Sequence, residues 1–251
     1  MAPSSEQTNQ LPYSISWQPN FALTLVLCVL GGFLGGGIVH QLHPLFAYAD
    51  LPPIELGASA ELVQQHRDAA FEYRSMNYGA ELAIIGLTLG LAFGGVSGSP
   101  KRLLSILVGG LAGALFGAAL GFFGGRFVAN TIFQNQQQTL QASMGLQAAV
   151  WGLILGSIVW PVAAVHVGVT RASKYGLIGL IAGVSVAVTQ FVVSSFVFPT
   201  SNPLFLVPEE SSERIYWIVA FPIVAGLVLA FGLSSLRAVP KSQVGATTAS
   251  F

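Results

Sequence analysis

Four polar side chains stand at or within apolar runs of this sequence: Glu81, Arg126, Gln190 and Ser194. A carboxylate inside a membrane often marks an ion or proton route. Glu81 is the only acid at the start of an apolar run, so it is the first candidate for that chemistry. Its depth also suits the first turn of a helix, where the macrodipole favours an anion. Arg126 lies at the same end of the next run, placed to pair with Glu81 or to snorkel to the interface. Gln190 and Ser194, four apart on one helical face, are the deepest polar pair. They would line a permeation route or hydrogen-bond a neighbouring helix, the usual use of such groups in lipid. Together the four residues form a possible polar path.

Other constellations carry less chemistry. His40 and His43 have a His-x-x-His spacing that would suit a metal on a continuous helix. Pro44 follows at once and no acid or cysteine joins them, and the third histidine of that side, His66, is remote in sequence. Cys28 is the single cysteine and permits no intrachain disulfide. Gly95-Val96-Ser97-Gly98 resembles the nucleophile motif of rhomboid intramembrane proteases, which also have a six-helix core. The resemblance covers four residues and implies Ser97 as nucleophile, with His166 on the same side as its base. The last span holds no matching histidine motif, and a Gly-Ser turn ahead of basic residues accounts for the same letters. No phosphate loop, nucleotide fingerprint or zinc motif occurs. With no nucleophile, base and orienter together, the chain is expected to be no enzyme and to need no cofactor.

The elements that position these residues follow from composition. The chain has 251 residues, 53% hydrophobic and 8% charged, with a mean hydropathy of +0.69. Soluble domains carry about 25% charged residues, so this chain cannot face water on all sides. Apolar runs near the ~20 residues that cross a bilayer fall at about 21–39, 79–96, 103–128, 146–166, 175–197 and 215–236. The fold class is all-α: a polytopic bundle of six transmembrane helices. Gly98–Arg102 separates spans two and three, and Pro199–Pro203 closes span five. Net charge is zero, so neither nucleic acid nor a polybasic lipid-binding surface is indicated.

Charge sets the orientation. Lys101 and Arg102, Arg171 and Lys174, and Arg237 and Lys241 occupy three segments that contain no acid. The opposite side holds Asp50, Glu55, Glu61, Asp68, Glu72, Glu209, Glu210 and Glu213, among Arg67, Arg74 and Arg214. The positive-inside rule makes the three basic segments cytoplasmic. A polar N-terminal segment (1–20), a transmembrane domain (21–237) and a flexible tail (238–251) follow, with both termini in the cytoplasm. Compact loops suit a bacterial inner membrane. Ala47-Tyr48-Ala49 has the small-x-small form of a signal cleavage site, but no basic residue precedes the first span, so retention is expected. Residues 58–77, from the cap-like Ser59, read as an amphipathic helix at the outer surface, continuous with span two or lying on the membrane.

The chain also repeats itself. A shift of 66 residues aligns 79–90 with 145–156 and 110–117 with 176–183, half identical in each case. Each unit is a hairpin of two helices in the same orientation, so the repeats are parallel. The tetrapeptide Gly-Leu-x-Leu at 86–89, 152–155 and 226–229 extends the scheme to spans six and one, giving three hairpins about a pseudo-threefold axis.

Small residues recur at intervals of three and four along these spans. Gly110, Gly113, Gly117, Gly121 and Gly124 share a face, as do Gly176, Gly179, Gly183 and Ala187. Gly79, Ala83, Gly86 and Gly90 match Gly145, Ala149, Gly152 and Gly156. In a bilayer, close approach through small residues is a principal attraction between helices, so these faces read as packing seams rather than as a glycine-lined pore. The function expected is a membrane scaffold or accessory subunit in contact with the lipid bilayer and with a membrane partner or a second copy. The alternative is a small transporter or channel with a route along the repeat axis. A helix break at Trp160-Pro161 would favour the latter.

Overall fold

In a computed structural model, described over residues 17–55, 57–133, 140–198 and 204–236, the chain forms six helices, with no strand among the described residues. They are α1 (Phe21–Leu42), α2 (Ala60–Gly94), α3 (Arg102–Phe133), α4 (Leu140–Val167), α5 (Val169–Val197) and α6 (Ser211–Ser235). All six are long and apolar enough to cross a membrane, and the chain is an integral membrane protein. Arg237, Lys241, the 238–251 tail, most of the 1–20 segment and Pro199–Pro203 lie outside the described residues.

Local sequence starts the helices. Asn20 caps α1 by accepting the Leu23 N–H, and Ser59 caps α2 by accepting that of Leu62. The amphipathic segment is one piece with span two. At 1.5 Å per residue, α2 is about 52 Å long, well beyond a hydrocarbon core of about 30 Å. Neither Pro161 in α4 nor Pro222 in α6 ends its helix, so the break expected at Trp160-Pro161 is absent.

The helices pack as three antiparallel pairs, α2 with α3, α4 with α5, and α1 with α6, joined through α1–α2, α3–α4, α5–α6 and α2–α4 contacts. Phe21 meets Phe231 edge-on, so α1 begins where α6 ends. The end of the bundle holding 43–55, 57–59 and 204–210 is here the acidic end, and that holding Trp17, 95–101 and Gly168 the basic end. α2, α4 and α6 form the interior. Trp151 of α4 lies 5.5 Å from Trp217 and 4.4 Å from Phe221 of α6, ring centre to ring centre. Leu82, Ile85 and Leu89 of α2 and Ile154, Leu155 and Ile158 of α4 are buried with them. The middle is therefore aromatic and aliphatic, and the glycines are elsewhere. Leu103, Leu107, Leu111, Leu115 and Phe123 of α3 are exposed at helical intervals, which is how a face turned to lipid should look.

The glycines bring backbones together within the pairs. Gly94, Gly90, Gly86, Leu82, Tyr78 and Arg74 of α2 meet Ser105, Gly109, Gly113, Gly117, Gly121 and Gly125 of α3 in turn. Each step of four along one helix is matched by four along the other. A Cβ at Gly86, Gly90, Gly113, Gly117 or Gly121 would fall inside the opposing carbonyl. In the α4–α5 pair, Gly183 meets the Trp151 carbonyl and Gly179 that of Leu155, while Gly152 and Gly156 leave 3.4 Å to the nearest backbone oxygen. Gly176 sits against Trp160. Gly110 lies on the same α2–α3 interface but against side chains rather than backbone. Gly109 makes the backbone contact, and Gly110 faces the Leu87 and Leu91 side chains. Gly124 likewise meets Leu206, and no atom outside its own helix comes within 4 Å of a Cβ at Gly145. α1 uses two glycine faces, Gly32 and Gly36 against Pro222 and Ile218, and Gly31 and Gly35 against α2 at Thr88, Ile85 and Ala92.

On the inner helices the seams run through 86, 90 and 94 of α2, 151, 155 and 160 of α4, and 218, 222 and 226 of α6.

Candidate functional site

Glu81 of α2, Gln147 of α4 and Glu213 of α6 are spaced by 66 in sequence and lie toward the acidic end of the three interior helices. All three are buried, at 0%, 4% and 8% exposure. Burying a carboxylate in an apolar interior is costly unless it is paired, so the partners decide what this tier does.

Glu81 pairs with a residue the sequence assigned elsewhere. The cap residue of α1, His43, places Nδ1 2.5 Å from Glu81 Oε1. The second oxygen, Oε2, is buried without a partner. Arg126 plays no part in this pair: it is exposed, and its guanidinium lies over the Phe122 ring at 5.1 Å. Glu81 also acts electrostatically on Arg214, on the first turn of α6. Its Nη2 donates to the Glu209 carbonyl at 2.8 Å, while Nε and Nη1 are buried without a partner. Arg74 completes the cluster. It donates to Glu209 Oε1 at 2.9 Å and lies 4.5 Å over Phe205.

Gln147 is fully engaged. It donates to the Phe205 carbonyl at 2.5 Å and accepts from Trp151 Nε1 at 3.0 Å. Phe205 belongs to a segment whose Leu204, Leu206 and Val207 are all buried, so this connection seals the acidic end. Gln190 Oε1 and Ser194 Oγ are buried and unpartnered. Together with Gln147, Phe205 and Glu213 they line a cavity of about 20 Å³, room for about one water. The structure thus brings Gln190 and Ser194 together and leaves Glu81 and Arg126 out of that cavity.

At the basic end, Trp17 is buried. Its ring stacks on His166 at 5.0 Å and meets Phe93 edge-on, and its carbonyl accepts from the Tyr175 hydroxyl at 3.1 Å. His166 Nε2 lies 2.7 Å from Ser105 Oγ, while Ser97 Oγ accepts the Ser99 N–H at 3.2 Å. The serine–histidine pair implied by the rhomboid resemblance is not formed. No group of three or more His, Cys, Asp or Glu that could hold a metal exists among the described residues, and His40 and His43 do not converge on one.

Sequence reasoning missed His43, Arg214, Glu213 and Trp17. The first three lie outside apolar runs or at their edges, where polar residues need no explanation. The spacing of 66 from Gln147 would have found Glu213. No protein-family model, curated protein or solved structure matches this chain.

Proposed function

We propose that this chain is a non-enzymatic scaffold or accessory subunit of a bacterial inner membrane. The acidic end faces outward and both termini lie in the cytoplasm, as the three acid-free basic segments require. Three two-helix units spaced by 66 residues, the third opened between α6 and α1, build the bundle. The observation that carries this reading is a filled interior: Leu206 and Val207 at the acidic end, Trp151, Trp217 and Phe221 in the middle, and Trp17 and Phe93 at the basic end are all buried. A route along the axis would need polar groups facing a gap at mid-depth.

The test uses the single native cysteine. In a Cys28→Ala background, Leu155→Cys is expected to resist a water-soluble thiol reagent, and proteoliposomes to pass ions no faster than empty vesicles. Rapid labelling of Leu155→Cys or a flux above control would overturn the reading. In intact cells an impermeant reagent should label Glu55→Cys, and Lys101→Cys only after permeabilisation.

One observation favours the alternative of a small transporter. The cavity of Gln190, Ser194 and Glu213 lies between α4, α5 and α6 and holds two unpartnered oxygens. Flux abolished by Ser194→Ala would establish that reading instead.

A further inference from the structure

A wide apolar opening lies on the outside of the α2–α3 pair. It is a groove of about 480 Å³, floored by Gly79, Ala80 and Ala83 of α2 and Ala118 and Ala119 of α3. Leu115 and Phe122 wall it, and Phe46 closes its acidic end. Phe46 is held in place: its N–H donates to Asn77 Oδ1 at 2.9 Å, and its carbonyl accepts from Asn77 Nδ2 at 3.0 Å. The one hydroxyl on the lining, Ser75 Oγ, is used internally by the Phe71 carbonyl. The groove therefore offers no hydrogen bond to an occupant.

Charge stands just beyond it. Arg126 is one turn past Phe122 on α3, and its guanidinium lies 5.1 Å over the very ring that forms the wall. It makes no ion pair among the described residues. An apolar slot with a cation at its outer end is the complement of a phospholipid, with an acyl chain along the slot and a phosphate at the guanidinium. A transmembrane helix, about 10 Å across, would run on toward the acidic end and meet Phe46 and the 46–49 strap. An acyl chain stops short of Phe46 and passes its headgroup sideways to Arg126.

We propose that the α2–α3 groove holds one phospholipid, its acyl chain on Ala80, Ala83 and Ala119 and its phosphate on Arg126. This holds whether the bundle is a scaffold or a transporter. The full-length protein, delipidated and then given palmitoyl-oleoyl phosphatidylglycerol, is read by native mass spectrometry. One phosphatidylglycerol per chain should survive activation that strips the rest, and a diacylglycerol with the same chains should not. Arg126→Gln should lower retention about tenfold, the loss of a charge-assisted contact. Ala119→Phe, which fills the slot, should abolish retention, while Leu177→Phe on the exposed face of α5 should leave it unchanged. No retained lipid, equal retention of diacylglycerol, or retention indifferent to both Arg126→Gln and Ala119→Phe would each overturn the proposal. So would a dimer that Ala119→Phe dissolves, because the occupant would then be a second copy.

Discussion

His43 and Glu81 form a buried pair across the α1–α2 interface, Nδ1 to Oε1 at 2.5 Å, with the carboxylate wholly inaccessible. The pair ties the C-cap of α1 to the level at which α2 enters the apolar interior. Removing one member of a buried pair costs about 3–5 kcal/mol, because the other is left without compensation. Replacing both with apolar residues costs far less. His43→Ala should therefore destabilise the protein by about 3 kcal/mol, and adding Glu81→Leu should restore most of the loss. Reversible unfolding in mixed micelles, read as a double-mutant cycle, checks this. An additive cycle would show that the contact carries no energy.

The three seams differ in tolerance although all contain glycine. A Cβ at Gly113 would collide with the Gly86 carbonyl, which is backbone and cannot step aside. At Gly156 the nearest backbone oxygen is 3.4 Å away, an ordinary contact. Gly113→Ala should lose about 1–3 kcal/mol through overpacking, while Gly156→Ala should be neutral or gain up to about 1 kcal/mol from helix propensity. Thermal unfolding of the two variants in detergent gives the sign directly.

This contrast shows what the sequence can and cannot carry. Spacing of glycines placed Gly86, Gly113, Gly117 and Gly121 on a seam, because a face is set by the helical period alone. The same spacing could not separate Gly109 from Gly110, which are adjacent and differ by 100° of rotation that only a partner defines. Nor could it tell that Gly152 and Gly156 are loosely packed, since looseness depends on Leu180 and Val184 opposite. Polar partners were the least legible. Glu81 and Arg126 look paired in sequence because each sits at the same end of consecutive spans, yet the outer connection delivers His43 instead. Trp17 read as part of a polar tail because burial at the basic end comes from Phe93, His166 and Tyr175, on three other helices.

The outer connection should depend on Asn77, whose amide meets the Phe46 backbone as a neighbouring strand would. Asn77→Ala removes both hydrogen bonds, each worth about 1 kcal/mol. Hydrogen exchange at the Phe46 amide should then accelerate at least tenfold, with the melting temperature of the bundle little changed. Asn77→Asp keeps the acceptor for the Phe46 N–H and should fall between. Equal protection in all three proteins would mean that Phe46 is held by other contacts.

Gln147 and Gln190 separate a structural polar group from one on a possible path. Gln147 satisfies two buried groups, the Phe205 carbonyl and the Trp151 indole N–H. Gln147→Met keeps the length and strands both, at about 1–3 kcal/mol for each group left unsatisfied. The Gln190 amide oxygen is already without a partner, so Gln190→Met removes a buried polar atom that makes no hydrogen bond. Its expected effect on stability is within about 0.5 kcal/mol of zero, or favourable. If Gln190→Met instead costs as much as Gln147→Met, the cavity it lines with Ser194 and Glu213 holds an ordered occupant that the amide oxygen helps to bind. The comparison needs only the two unfolding curves.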